Sequence, residues 1–336
     1  MTRPSILALL FTCGVAAAQE APKTLAVGTE GFWRPSALLQ AWYLFDHVDK
    51  HNPNTFKIRR LELKLQGEIV PGRFGYVAMI DPARVLDSTP TEKNPTYSVL
   101  QDVYITWLNS VLDVSIGQFK NLVSLEGYGP AAKTLLPERA TVSKTIGDKR
   151  DLGLRADKVF DYFAVHLGFF NGTGLDLKDA DAGKDLVVRV EVFPLKGLTL
   201  GGLGYMTVTD RKDSVVRDRF EGDLRYENIG FLFQGEYIRG RDTHDKGTEK
   251  EKDIDSQGAY AAVAYTFMDM VQPVFRAGFF DPDVKTDDDA QQDYEGGVNI
   301  FFQKHEAKFQ LAYSFFNFKD NKKDDHRVVA AAQIGF

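Results

Sequence analysis

Between Lys120 and Arg150 the sequence carries Lys120, Lys133, Arg139, Lys144, Lys149 and Arg150 against Glu126, Glu138 and Asp148, a local balance of +3 in a chain of net charge -6. Residues of this kind do no covalent chemistry. They attract anions, most strongly where low-dielectric walls focus their field. Arginine can grip an oxyanion through two parallel hydrogen bonds and lysine offers a mobile point charge, so a mixture can pass anions along without holding them. The segment is about thirty residues long without strand periodicity, beyond the usual range for a structureless connection, which marks it as functional. Gly127, Gly129 and Pro130 supply the turns that a compact fold of it requires.

Other chemistry is poorly provided for. His47, His51, His166, His244, His305 and His326 show no metal-ligand spacing, and Cys13 is the only cysteine, so neither a metal nor a cofactor is expected. Gly201-Gly202-Leu203-Gly204 lies inside an alternating stretch rather than before a helix, which argues against a nucleotide loop. Asp287-Asp288-Asp289 reads as a solvated loop tip. No serine, histidine and carboxylate set can be assembled for hydrolysis, so the chain does not read as an enzyme. The negative net charge argues against nucleic acid as a partner.

The elements that must position the basic segment are strands. Leu61, Leu63, Leu65 and Ile69 alternate with Arg60, Glu62, Lys64, Gln66 and Glu68, a period of two that no helix stripe produces. The pattern recurs from residues 36–46 to 327–336 in about sixteen stretches, many of the roughly ten residues that a tilted membrane strand needs. Very short connections, such as Pro71-Gly72-Arg73 and Leu195-Lys196-Gly197, alternate with long polar ones. This is the signature of an all-β, antiparallel, up-and-down transmembrane β-barrel with turns on one rim and loops on the other. Aromatic pairs at strand ends, among them Phe169-Phe170, Phe279-Phe280 and Phe301-Phe302, suit interfacial girdles. Arg3, the apolar run Ile6 to Val15 and Ala16-Ala17-Ala18 form an export signal over residues 1–18, leaving 19–336 as the barrel.

The last strand ends on Phe336 itself, with Val328, Ala330, Ala332 and Ile334 on the same face. This ending resembles the closing strand of bacterial outer-membrane porins, in which a terminal Phe is part of the signal read by the barrel-assembly machinery. Phe56-Lys57-Ile58-Arg59-Arg60-Leu61, Gly117-Gln118-Phe119-Lys120 with Ser124 and Glu126, Glu138-Arg139, Arg150-Asp151-Leu152-Gly153 and Phe170-Asn171-Gly172 resemble the phosphate-selective porin O and P family. The resemblance implies a sixteen-stranded barrel assembled as a homotrimer, in contact with outer-membrane lipid and lipopolysaccharide of a Gram-negative bacterium. It also implies that the third long loop folds into the lumen and that small anions, phosphate or polyphosphate among them, diffuse through passively. The candidate constriction residues are Lys120, Lys133, Arg139, Lys144, Lys149 and Arg150 on the loop, with Arg60 and Lys64 on the wall. Acidic wall candidates, Glu62, Asp102, Asp113, Glu221, Asp223 and Glu295 among them, keep a non-selective or cation-preferring pore as the alternative; an outer-membrane barrel enzyme is the remoter one.

Overall fold

A computed structural model describes residues 24–27, 30–48, 52–87, 99–147, 149–175, 182–210, 216–243, 253–319 and 324–336. The export segment expected over 1–18 lies outside them. The strands are β1 (Leu25–Val27), β2 (Gly31–Val48), β3 (Asn54–Val70), β4 (Phe74–Ile80), β5 (Leu100–Trp107) and β6 (Asp113–Lys120). After the long third loop come β7 (Arg150–Val159), β8 (Phe163–Phe170), β9 (Lys184–Leu195), β10 (Leu198–Thr209), β11 (Arg217–Asn228) and β12 (Phe231–Asp242). The series ends with β13 (Ile254–Tyr265), β14 (Val271–Asp281), β15 (Gln291–Gln303), β16 (Ala307–Phe318) and β17 (Asp325–Gly335). From β2 to β17 each strand pairs antiparallel with the next, and β17 pairs back onto β2, closing a ring of sixteen. No helix among the described residues is long and apolar enough to cross a membrane.

Alternation decides which way each side chain points. In β12, Phe231, Phe233 and Tyr237 are exposed on the outer face, while Leu232, Gln234, Glu236 and Ile238 are buried inside. In β16, Phe309, Leu311 and Tyr313 point out and Lys308, Gln310, Ala312 and Ser314 point in. The outer face is therefore an apolar band, and closure removes every unpaired edge that such a sheet would otherwise present. Tight turns join the strands on one rim. Between β11 and β12 the turn centres on Ile229 (φ 49°) and Gly230 (φ 76°), the double left-handed geometry that matches strand twist, with the β-branched Ile229 strained by it.

The seam explains the length of β2, which starts five residues before the expected 36. Leu25, Ala26 and Val27 pair with Trp33, Phe32 and Gly31, whereas β17 first meets β2 where Ala37 and Phe336 exchange two hydrogen bonds of 3.1 Å. Pro35 falls in the window between these two partners, where a missing N–H costs no ladder bond on that edge. The Phe336 side chain, 78% exposed, stands on the outer face.

The third loop supplies the barrel with a core. It contains α1 (Leu125–Tyr128), a 3-10 turn (Ala131–Lys133) and α2 (Thr141–Thr145), and it lies inside the ring. Leu135, Leu136, Ala140, Val142 and Ile146 pack on Leu232, Ile238, Tyr260, Ala262, Ala264, Val274, Phe280 and Ala312 of β12–β14 and β16. At its start Leu122 and Val123 join Phe119, Phe170, Val187, Leu203 and Tyr205. Small inward residues make the bed: a Cβ on Gly258 would lie 2.9 Å from Val142, and one on Gly297 would lie 2.8 Å from Leu136.

Candidate functional site

The site begins with an irregularity in β3. Arg60 pairs with Gln40 and Ile58 with Ala41, so Arg59 is the extra residue of a β-bulge. A bulge shifts the alternation by one. Lys57 and Arg59 therefore share the inner face with Arg60, Glu62 and Lys64, and both lie over the buried Trp42 ring, at 5.6 and 5.4 Å. Strict alternation from Arg60 points Arg59 outward, and the sequence reading missed it for that reason. Two adjacent arginines at the start of an otherwise regular strand are the signal that would have found it.

From this base the site is built across to the loop. The Arg59 Nε–H donates to Glu138 Oε1 at 3.0 Å. Arg60 donates to Gln40 Oε1 at 2.8 Å and lies 3.9 Å from Glu62. The Arg150 Nε–H donates to Asp102 Oδ1 at 2.8 Å, and Lys64 feels the charges of Asp102 and Glu62. Lys144, exposed on α2, lies within electrostatic reach of Glu138. Glu138 belongs to the loop rather than to a strand. Burial pushes its carboxyl up, but Arg59, Lys144 and Arg60 outweigh it and hold the group near 2.

The remaining predicted loop bases sit differently. Lys120 donates to the carbonyls of Gly127 (2.6 Å) and Gly129 (3.0 Å), and Arg139 donates to those of Glu126 (2.7 Å) and Gly129 (3.3 Å). Both brace the turns of the loop, although Arg139 remains close enough to be felt by Arg60. Lys149 is exposed at the loop's end. Lys133 is not brought to Arg59: it lies toward the turn rim, near Arg225 and Glu227, and with Lys308 and Arg225 it acts on His305. Burial first, then those three cations, push the His305 imidazole down to about 3.

The acids of the wall are placed where the loop covers them. Glu221 accepts from the Ser124 N–H (2.7 Å), and Glu236 accepts from the Leu125 N–H (2.6 Å) and from the hydroxyls of Ser124 and Ser143. Arg189 lies between Glu191, Glu221 and Asp223 at 2.9, 3.0 and 2.8 Å. Arg276 holds Glu295 at 2.6 Å and the loop's Glu126 at 3.2 Å, and also donates to the Glu138 carbonyl. Leu122 (φ 66°) and Ser124 (φ 70°) occupy the left-handed region, a strain maintained by these anchors. The inner wall is mixed in charge, as its sequence is, and the loop divides it: the acids of β11, β12 and β15 lie behind the loop with Arg189 and Arg276 among them, and the bases of β3 face its other side with Glu62 and Asp102 beside them. Among the described residues no group of three or more histidines or carboxylates is arranged to hold a metal ion.

Comparisons with known proteins fit this geometry. The model of the phosphate-selective porin O and P family matches residues 39–229, from the middle of β2 to the β11–β12 turn. The chain belongs to this family. No curated protein matches in a sequence search. Among solved structures, an anion-selective porin from Comamonas acidovorans is similar with a TM-score of 0.67 at 11% identity, over 91% of this chain and 100% of that one. The outer-membrane channel DcaP of Acinetobacter baumannii gives 0.68 at 11% identity, over 91% and 97%. OmpT of Vibrio cholerae, in-vitro folded and in its trimer form, gives 0.62 at 11% identity, over 91% and 99%. At such identities the likeness is one of fold. The protein is an outer-membrane porin, and its family and fold point to a channel rather than an enzyme.

Proposed function

We propose that this porin passes small anions by passive diffusion, and that Arg59, Arg60, Lys64, Lys144 and Arg150 set its preference. One observation carries the reading. Of the acids that would favour cations, Glu221, Asp223, Glu236 and Glu295 are buried and paired behind the loop, whereas on its other side Arg59, Arg60, Lys64, Lys144 and Arg150 outnumber Glu62, Asp102 and Glu138. A few charges at a narrow place act through little screening water, so this local excess of bases outweighs the chain's negative total. Phosphate or polyphosphate enters as one member of the anion class, pointed to by the family.

The same reading extends to assembly. An export signal over residues 1–18 is removed, Phe336 serves as the recognition end for the barrel-assembly machinery, and three copies associate in contact with lipopolysaccharide. The exposed, outward Phe336 and the trimer form of the structurally similar OmpT support this. The test is the reversal potential of the wild-type channel in planar bilayers under a potassium chloride gradient. The expected sign gives chloride more permeable than potassium; the opposite sign overturns the reading.

A further inference from the structure

The buried ion pairs of this lumen and the pair that faces its water differ in one respect that bears on transport. Arg276 and Arg189 are 2% and 0% exposed, and although Glu191 beside Arg189 is partly exposed, their partners Glu126, Glu295, Glu221 and Asp223 are enclosed with them, so no passing solute can reach either guanidinium. Arg59 and Glu138 are 22% and 19% exposed, and a solute can reach both. The backbone of Glu138 is fixed from behind, because Arg276 donates to its carbonyl at 2.9 Å and Glu126 accepts from the Ala140 N–H at 2.8 Å. Its side chain reaches forward from that fixed point to Arg59, with Arg60 and Lys144 as electrostatic neighbours. A carboxylate set against a guanidinium in this way occupies the place that an incoming oxyanion would take, with the same atoms and the same charge-assisted hydrogen bond.

We infer that Glu138 is a tethered counter-anion, which competes with passing oxyanions for Arg59 and so keeps their stay at the constriction short. This rests on the anion reading above and adds a mechanism to it. A pore lined only by free arginines binds oxyanions tightly and passes them slowly, because conduction needs sites that are favourable to enter and weak enough to leave. A tethered carboxylate shortens the stay without removing the attraction: it swings aside when the oxyanion arrives and returns as the oxyanion leaves. Chloride, which cannot form the paired hydrogen bonds of an oxyanion, competes less effectively with it. Ionisation of Glu138 is assured. Despite the upward push of burial, Arg59, Lys144 and Arg60 hold it near 2, so it stays charged across the working pH of the channel.

The test uses the full-length channel in planar bilayers with chloride as the current carrier and inorganic phosphate as the competing probe. Glu138→Gln keeps the shape of the side chain and removes its charge. The expected result is a fall of about threefold to tenfold in the phosphate concentration that halves the chloride current, the range that one partly exposed charged hydrogen bond contributes. Arg59→Gln should raise that concentration, and in the Arg59→Gln background the second substitution Glu138→Gln should have little further effect. Lowering the pH of the wild type to about 4 should not mimic Glu138→Gln. If Glu138→Gln leaves phosphate block unchanged while the wild type prefers chloride to potassium, the counter-anion role is wrong and the anion reading stands. If the wild type prefers potassium, the anion reading itself has failed.

Discussion

The two sides of the third loop carry the same residue types and use them differently. On the docked side, Arg276 and Arg189 sit among Glu126, Glu295, Glu191, Glu221 and Asp223, all within hydrogen-bonding range and all but Glu191 removed from water. On the other side, Arg59 and Glu138 meet with part of each group exposed, the buried Arg150 meets a partly exposed Asp102, and Lys144 is exposed. Desolvated charges must be paired locally, so on the docked side they fix geometry and lend little field to the passage. Hydrated charges gain little from pairing, so on the other side they contribute little to stability and much to the potential that an ion meets.

That contrast can be broken from the docked side first, where effects on stability should be largest. Arg276→Met leaves Glu126 and Glu295 without their cation and should cost about 3–5 kcal/mol of loop docking. A lower thermal midpoint and larger open-channel current fluctuations would report it. Arg59→Met, the matching change on the other side, should cost less than about 1 kcal/mol by the same melt. Equal costs would remove the distinction between the two sides. Next comes Gly258→Val, which drives a side chain into Val142 and should cost about 1–3 kcal/mol through overpacking. Val142→Ala in the same chain should recover part of that loss, measured in the same way.

An effect of a different kind, absent at neutral pH, is expected at the turn between β15 and β16. There burial, with Lys308, Lys133 and Arg225, holds His305 near 3 against its ordinary 6.5. The unfolded chain takes up a proton as the pH falls through 6.5 and the folded chain does not until about 3, so stability declines with pH across that window. His305→Gln should flatten this part of the decline in acid denaturation curves and leave stability above pH 7 unchanged.

How much of this was legible in the sequence depends on the range of the interaction. Strands were readable because alternation is local. Phe309, Leu311 and Tyr313 declare the outer face of β16 without reference to any other strand. The closing of the ring followed from the regular succession of short turns and long connections. The early start of β2 was obscured by Pro35, which is tolerated only because of a gap at the seam that no local pattern reveals. At the candidate site, the basic segment and the wall residues Arg60 and Lys64 stood out by composition. The partition of the loop's charges did not, since it rests on contacts between residues far apart in the chain, such as Glu236 with Leu125 and Lys308 with Thr134. A trace of the docking bed was nevertheless present, in the small inward residues Gly258, Ala262, Gly278 and Gly297 on three consecutive strands.

The central claim is that the charges beside β3, and not those behind the loop, set the selectivity. Reversal potentials under one potassium chloride gradient test it directly, comparing the wild type with Arg59→Glu/Arg60→Glu/Lys64→Glu and with Glu221→Gln/Glu236→Gln. The account predicts that the first variant moves the permeability ratio strongly toward potassium, while the second, if its barrel assembles, leaves the ratio near that of the wild type. A ratio that follows the buried acids and ignores the three bases of β3 would contradict it.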